Sequence, residues 1–245
     1  MSTSTHEAPT GIVGRAGATL RSVLIDEVPR DHQQPDHEFH RRRVVVVIGL
    51  LIGTTLLGLS LATTPGSVAF YPLTISVAVV WVVFGFASGP LHLGYVPWRG
   101  TLRRPVFTPL ALGLVASAVF VVGALIVAQI DPLRHLVQHV LAHEQQGNLA
   151  LVYVVTLLNG AAEEVFFRGA LFAAIGRRHA IPLSVVIYTL VTIATGNVML
   201  VFAAVLMGTL FALQRRASGG IMASTITHLV WSVAMLIALP AIIGT

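Results

Sequence analysis

Leu157-Leu158-Asn159-Gly160-Ala161-Ala162-Glu163-Glu164-Val165-Phe166-Phe167-Arg168-Gly169 is the stretch that decides the reading of this chain. It sets two adjacent carboxylates and an arginine inside an apolar run. A charged side chain at the centre of a bilayer costs about 2.5–3.5 kcal/mol on insertion scales, so such residues are rare and usually functional. Glu163 and Glu164 are also the only acids within the hydrophobic segments. The others lie near the N-terminus (Glu7, Asp26, Glu27, Asp31, Asp36, Glu38) or in one polar connection (Asp131, Glu144). Residues four apart share a helical face, so Glu164 and Arg168 can pair while Glu163 points about 100° away. Gly160, Ala161 and Ala162 before the pair, and Gly169 and Ala170 after Arg168, let neighbouring helices approach closely.

Composition places the pair in a membrane. The 245 residues are 55% apolar and only 10% charged, with a mean hydropathy of +0.83. A soluble domain is nearer 25% charged, and runs long enough to cross ~30 Å of hydrocarbon recur along most of the chain. The expected fold is all-α: a polytopic membrane protein. With no cysteine, a disulfide framework, an iron–sulfur cluster and a thiol nucleophile are excluded. All fifteen basic residues are arginines. The high pI reads as topology at membrane edges rather than as nucleic-acid binding. The all-arginine, Ala- and Val-rich usage fits a GC-rich, bacterial genome.

Residues 1–43 are polar, lack the apolar core of a signal peptide, and are expected to be a disordered cytoplasmic tail with one short helix around Gly17–Glu27. The tail ends in Arg41-Arg42-Arg43, read as a topogenic cluster rather than a lipid-binding one. Seven spans follow, at 44–62, 69–88, 107–130, 149–174, 181–196, 198–214 and 219–240. They divide into three N-terminal helices with an interfacial segment (44–147) and a core (148–240). Arginines recur after the second, fourth and sixth spans (Arg99, Arg103, Arg104; Arg177, Arg178; Arg215, Arg216) and are nearly missing from the other connections. That alternation sets the N-terminus inside and the C-terminus outside. In Asp131–Glu144, Leu133, Leu136, Val137, Val140 and Leu141 line one helical face and His135, His139 and His143 the other. The pattern reads as an amphipathic helix in the outer interface, with a metal site or pH sensor as the sharper alternative.

A second constellation lies in the last span, Thr227-His228-Leu229-Val230-Trp231-Ser232. His228 is the only histidine well inside an apolar segment, and Ser232 shares its face. Counted from the cytoplasmic ends of their spans, His228 lies ~14 Å deep and the glutamates ~16–20 Å deep at 1.5 Å per residue. A Glu pair and a His at matching depth can polarise a water or move a proton.

Glu163-Glu164-x-x-x-Arg168 followed some sixty residues later by His228-x-x-x-Ser232 resembles the CPBP (CAAX protease and bacteriocin-processing, or Abi) family of intramembrane proteases, over about residues 148–239. Phe167-Arg168-Gly169-Ala170-Leu171 and the arginine pair before Gly219-Gly220 add to the likeness. The resemblance implies that Glu163 activates the attacking water, that Glu164 supports it and that Arg168 anchors the carboxylates. His228 and Ser232 (usually Asn or Asp) would hold the oxyanion. It leaves metal dependence open: a divalent ion such as zinc would find at most Glu163, Glu164 and His228. The family's second motif, Phe-x-x-x-His, is expected about thirty residues after the glutamates. The stretch there is Ile193-Ala194-Thr195-Gly196-Asn197, which puts Asn197 in the histidine's place opposite the glutamates. Asn is no general base and a poor ligand for transition metals.

The leading expectation is an intramembrane endopeptidase that hydrolyses a peptide bond by glutamate-activated water. The alternative is an inactive protein on the same fold that binds a membrane-protein partner. A proton-coupled transporter fits less well, because the two halves show no inverted repeat. The expected partners are the lipid bilayer and a peptide or membrane protein, not nucleic acid.

Overall fold

The computed structural model describes residues 12–30, 34–98, 100–145 and 149–244. The elements are α1 (Ile12–Leu24), α2 (Asp36–Leu61), α3 (Phe70–Ala87), a hairpin of β1 (Val96–Trp98) and β2 (Thr101–Arg103), α4 (Phe107–Val127), α5 (Asp131–Gln145) and α6 (Leu149–Glu163). A π-helical segment (Glu164–Leu171) and α7 (Phe172–Ile175) continue α6 without a break. Then come α8 (Ala180–Ile193), α9 (Val198–Ser218) and α10 (Met222–Ile243).

Six of these helices are long and apolar enough to cross a membrane: α2, α3, α4, the continuous Leu149–Ile175, α9 and α10. The expected fifth span is shorter than its sequence window. Its 14 residues extend only ~21 Å at 1.5 Å per residue, less than the ~30 Å of hydrocarbon. The window 181–196 overran because Ala194-Thr195-Gly196 is apolar or small yet turns, with Gly196 at φ 68°.

Within the N-terminal segment the described residues include a helix, as expected around Gly17–Glu27. Helix α1 covers 12–24 and α2 starts at Asp36, not at 44. Asp36 and Glu38 occupy the first turn of α2, where the exposed N–H groups favour negative charge. The arginine run therefore lies within α2, and one member ties the fold together. Arg42 is buried and donates to Gln34 Oε1 (3.1 Å), Ser88 Oγ (3.3 Å) and the Pro90 carbonyl (3.1 Å). Glu7 and Asp31 lie outside the described residues, as do the His143 and Glu144 side chains.

The central core joins the N-terminal helices to the glutamate helix. Trp81 on α3, fully buried, packs against Phe166 and Phe167 with ring centroids 4.5 and 5.0 Å apart. Val46, Val77, Ala162 and Ala170 belong to the same cluster. Gly53 on α2 lets Trp81 sit where a Cβ would collide with the indole. Helix α4 lies along α10, and α8 along α9.

Connections gather at two ends. At one end, Tyr95 N donates to Ser218 O, Ile221 N to His92 O and Met222 N to Leu93 O; there Arg104 donates to the Gly94 carbonyl, Arg177 pairs with Glu27 and Arg216 donates to the Ile25 carbonyl. At the other, α5 turns its apolar face inward: Val137 and Leu141 pack with Ile243, Leu239 and Met199. His135 and His139 stay exposed on its outer face, with His135 Nδ1 3.1 Å from Gln138 Oε1. Among the described residues, no three His, Cys, Asp or Glu side chains are grouped to hold an ion; the metal-site alternative also involves His143, whose side chain lies outside them.

Candidate active site

The π-helical segment opens at Glu164, immediately after Glu163. Such segments bond i→i+5, occur mostly as short insertions in α-helices, and frequently mark functional sites. Two aromatic residues, Phe166 and Phe167, pin this one against Trp81. The looser spacing leaves the Arg168 carbonyl able to accept a 2.6 Å bond from Arg215 Nε on α9.

Glu164 and Arg168 pair as their spacing foretold. Arg168 Nη1 lies 3.1 Å from Glu164 Oε1, with the two side chains 2% and 0% exposed. The same oxygen accepts from His228 Nδ1 at 3.1 Å, so the depth match read from the sequence is a direct contact. Arg168 also donates to the Gly208 carbonyl (3.3 Å). Its guanidinium sits over the rings of Tyr188 (4.4 Å) and Phe211 (5.0 Å). Phe211 in turn stacks on the His228 imidazole at 4.7 Å. A charged pair taken out of water is tolerable only when further bonds and polarisable faces surround it, and this one has both. With Nδ1 engaged, His228 directs Nε2 toward Gly160, whose missing side chain leaves room beside it.

Glu163 points elsewhere, as the helical phase requires. It is partly exposed, and its Oε2 accepts a 2.6 Å bond from the Tyr188 hydroxyl. Tyr188 is the residue that sequence reasoning missed. It belongs to α8, and its ring also touches Phe167 at 4.8 Å.

Asn197 does not face the glutamates. It is the N-cap of α9: its Oδ1 accepts from Met199 N (3.0 Å) and Leu200 N (3.4 Å), and its Nδ2 donates to the Leu136 carbonyl (2.7 Å). The reason is the short link between α7 and α8. Only residues 176–179 separate them, so α8 is level with Glu163 already at Tyr188. Asn197 lies nine positions further on, more than ~10 Å along the chain axis. An N-cap asparagine with its carbonyl on N2 and N3 is a complete structural role. Ser232 is buried one turn beyond His228 and lines an apolar cavity of about 530 Å³ together with Trp231, Met235, Thr156 and residues of α4, α5 and α9.

His228 Nδ1 and Arg168 both converge on Glu164 Oε1, and the Tyr188 hydroxyl donates to Glu163 Oε2, so one oxygen of each carboxylate is engaged. Glu164 Oε2 is buried with no hydrogen-bond partner among the described residues, and His228 Nε2 faces Gly160. Among the described residues these three side chains are not grouped as ligands of one ion.

The fold and site define a polytopic helical membrane protein with a buried Glu–Arg–His cluster and a second, partly exposed glutamate beside it. Residues 145–234 match the family model described as type II CAAX prenyl endopeptidase Rce1-like, the CPBP/CAAX protease family that the motifs indicated. The match covers the π-helical segment, α8, α9 and His228. Neither the curated proteins nor the solved structures contain a match to the chain.

Proposed function

We propose that this chain is an intramembrane endopeptidase that hydrolyses a peptide bond with a water activated by Glu163. The observation that carries the reading is the division of labour between two adjacent carboxylates. Glu164 is locked by Arg168 and His228, whereas Glu163 has a single neutral partner, Tyr188, and is partly open. A general base must be ionisable and reachable; only Glu163 meets both conditions.

In this mechanism Glu163 takes a proton from water as its oxygen attacks the scissile carbonyl carbon. The carbonyl oxygen gains negative charge next to His228, whose open Nε2 can donate to it only from the doubly protonated ring, because Nδ1–H is already on Glu164. Collapse of the tetrahedral intermediate breaks the C–N bond, and Glu163 returns the proton to the departing amine. Glu164 and Arg168 hold the imidazole in place, and Tyr188 orients the base. The substrate is a peptide segment presented within the membrane. The protein sits in a bacterial plasma membrane with its arginine-rich end, and so its N-terminus, in the cytoplasm and its C-terminus outside.

The test is cleavage of a membrane-spanning peptide library by the full chain in proteoliposomes, with new termini read by mass spectrometry. Wild type produces termini and Glu163→Gln produces none while remaining folded. Full activity in Glu163→Gln would sink the mechanism. Absence of cleavage by wild type, together with stable co-purification of a membrane protein, would favour the non-catalytic binding role.

A further inference from the structure

The arginine-rich end of the bundle holds a second cavity, separate from the glutamate site. It encloses about 490 Å³ and is lined by Val28 and Arg30 of the segment after α1, by His92, Tyr95 and Arg104 of the α3–α4 connection, and by Ser218 at the end of α9. Leu91 and Ile221 lie against Gly169, so apolar side chains separate this cavity from the catalytic cluster.

Its electrostatics are one-sided. Arg30 and Arg104 line it. Burial lowers the His92 pKa, and the nearby Arg215 and Arg42 lower it further. Among the described residues no carboxylate lines the cavity. Among the described residues, Glu27 is shared between Arg30 (3.0 Å) and Arg177 (3.6 Å). Burial lowers the Arg30 pKa; Glu27 opposes that shift, while Arg177 and Arg216 add to it. Arg104 donates one N–H to the Gly94 carbonyl at 2.9 Å and stacks on Tyr95 at 4.2 Å. Its remaining donors have no protein partner among the described residues. Guanidinium groups are the side chains best matched to phosphate oxygens, and basic pockets between membrane helices on the cytoplasmic side suit phosphorylated head groups.

We propose that this cavity is a phosphate-binding site, taking a phosphate group on Arg30 and Arg104 and thereby fastening the N-terminal segment to the bundle. The phosphate can come from an anionic lipid head group or from soluble phosphate. The volume is many times the ~30 Å³ share of a water, so a whole head group fits. The fastening follows from position. Arg30 belongs to the segment that carries α1, and its guanidinium already reaches the Arg216 carbonyl. Val28 N donates to Ala217 O at 3.0 Å. Arg104 belongs to the α3–α4 connection, another part of the lining. A bound anion bridges the two, and any ligand that prefers the docked state stabilises it by mass action. The proposal depends on the membrane placement and not on proteolysis, so it can fail or stand independently of the proposed activity.

The experiment is hydrogen exchange on residues 12–30 of the full chain in nanodiscs. Three conditions are compared: phosphatidylcholine alone, phosphatidylcholine with phosphatidylglycerol, and phosphatidylcholine with added inorganic phosphate. At about ten times its dissociation constant, the effective anion slows exchange of this segment about tenfold. A response only to phosphatidylglycerol assigns a lipid head group, and a response to inorganic phosphate assigns a soluble ion. Arg104→Gln should lose the response, read as the ratio of exchange with and without the anion in the same variant. Arg104→Lys, which keeps the charge, should retain part of it, and Arg178→Gln, exposed on the same end, should keep all of it. A wild-type chain that responds to neither anion, or an Arg104→Gln chain that responds like wild type, overturns the proposal. If Arg104→Gln raises basal exchange, the count of phosphatidylglycerol molecules retained by wild type and by Arg104→Lys in native mass spectrometry decides instead, with zero retained on wild type counting against it.

Discussion

Replacing each glutamate by glutamine should separate the two carboxylates by stability before any substrate is known. Glu164→Gln keeps the side chain's size but removes the charge facing Arg168 and His228. The guanidinium, 2% exposed, would keep only the Gly208 carbonyl and two ring faces as partners. Removing one partner of a buried pair costs about 3–5 kcal/mol, mostly because the surviving charge stays buried and unmatched. Glu163→Gln is different in kind. An amide oxygen still accepts from the Tyr188 hydroxyl, so the loss is that of weakening one hydrogen bond, about 0.5–1.5 kcal/mol. The difference is at least ~1.5 kcal/mol on these magnitudes, and equilibrium unfolding of the purified chain in mixed micelles resolves it. Arg168→Met on the Glu164→Gln background should restore part of the loss, because it removes the orphaned cation. Equal destabilisation by the two single substitutions, or no rescue by the second, would refute the assignment of Glu164 as the structural anchor.

Tyr188→Phe removes the one donor to Glu163 while preserving the ring that covers Arg168 and touches Phe167. Hydrogen bonds to charged groups are worth ~1.5–3 kcal/mol, so unfolding should lose up to that amount and the cleavage rate should fall about ten- to hundredfold, and an unchanged rate would exclude Tyr188 from the mechanism. Asn197→Ala should do the reverse. About 1 kcal/mol of stability should be lost with the N-cap, read by thermal unfolding, while the cleavage rate stays within about twofold of wild type because the cap lies at the far end of α9.

Much of the site was legible because it obeys local helical arithmetic. The i, i+4 pairing of Glu164 with Arg168 needs no knowledge of other helices. Depth counting along two spans brought His228 to Glu164, because both depths can be measured from the same end of the bundle. The third contribution, from α8, was not legible that way. Its register against α6 depends on how few residues the chain uses to turn after Ile175, and a loop of four residues cannot be told from one of eight by hydropathy alone. A count of residues to the expected histidine therefore landed on a helix cap, while the tyrosine that meets Glu163 looked like one more aromatic in an apolar span. The contacts of the N-terminal segment with the bundle were hidden for a related reason. Its residues are polar in composition, yet Val23 and Val28 find buried positions that only the folded bundle provides.

The π-helical segment means that residue count and angular position part company within the glutamate helix. A wheel drawn at 100° per residue from Leu149 places Glu163 correctly but misphases the residues beyond Glu164, including Phe172 and Ala174 at the arginine-rich end. Deleting a single residue between Val165 and Ala170 would convert the segment toward ordinary α-helix. The half carrying Glu163 and the half leading to Gly176 could then keep their places, because the π-turn had absorbed the extra residue, while the side chains of the segment itself would be re-aimed. The extra residue thus sets where Phe166, Phe167 and Arg168 point, and a one-residue deletion there should disturb their contacts with Trp81 and Glu164 more than the packing of the two flanks.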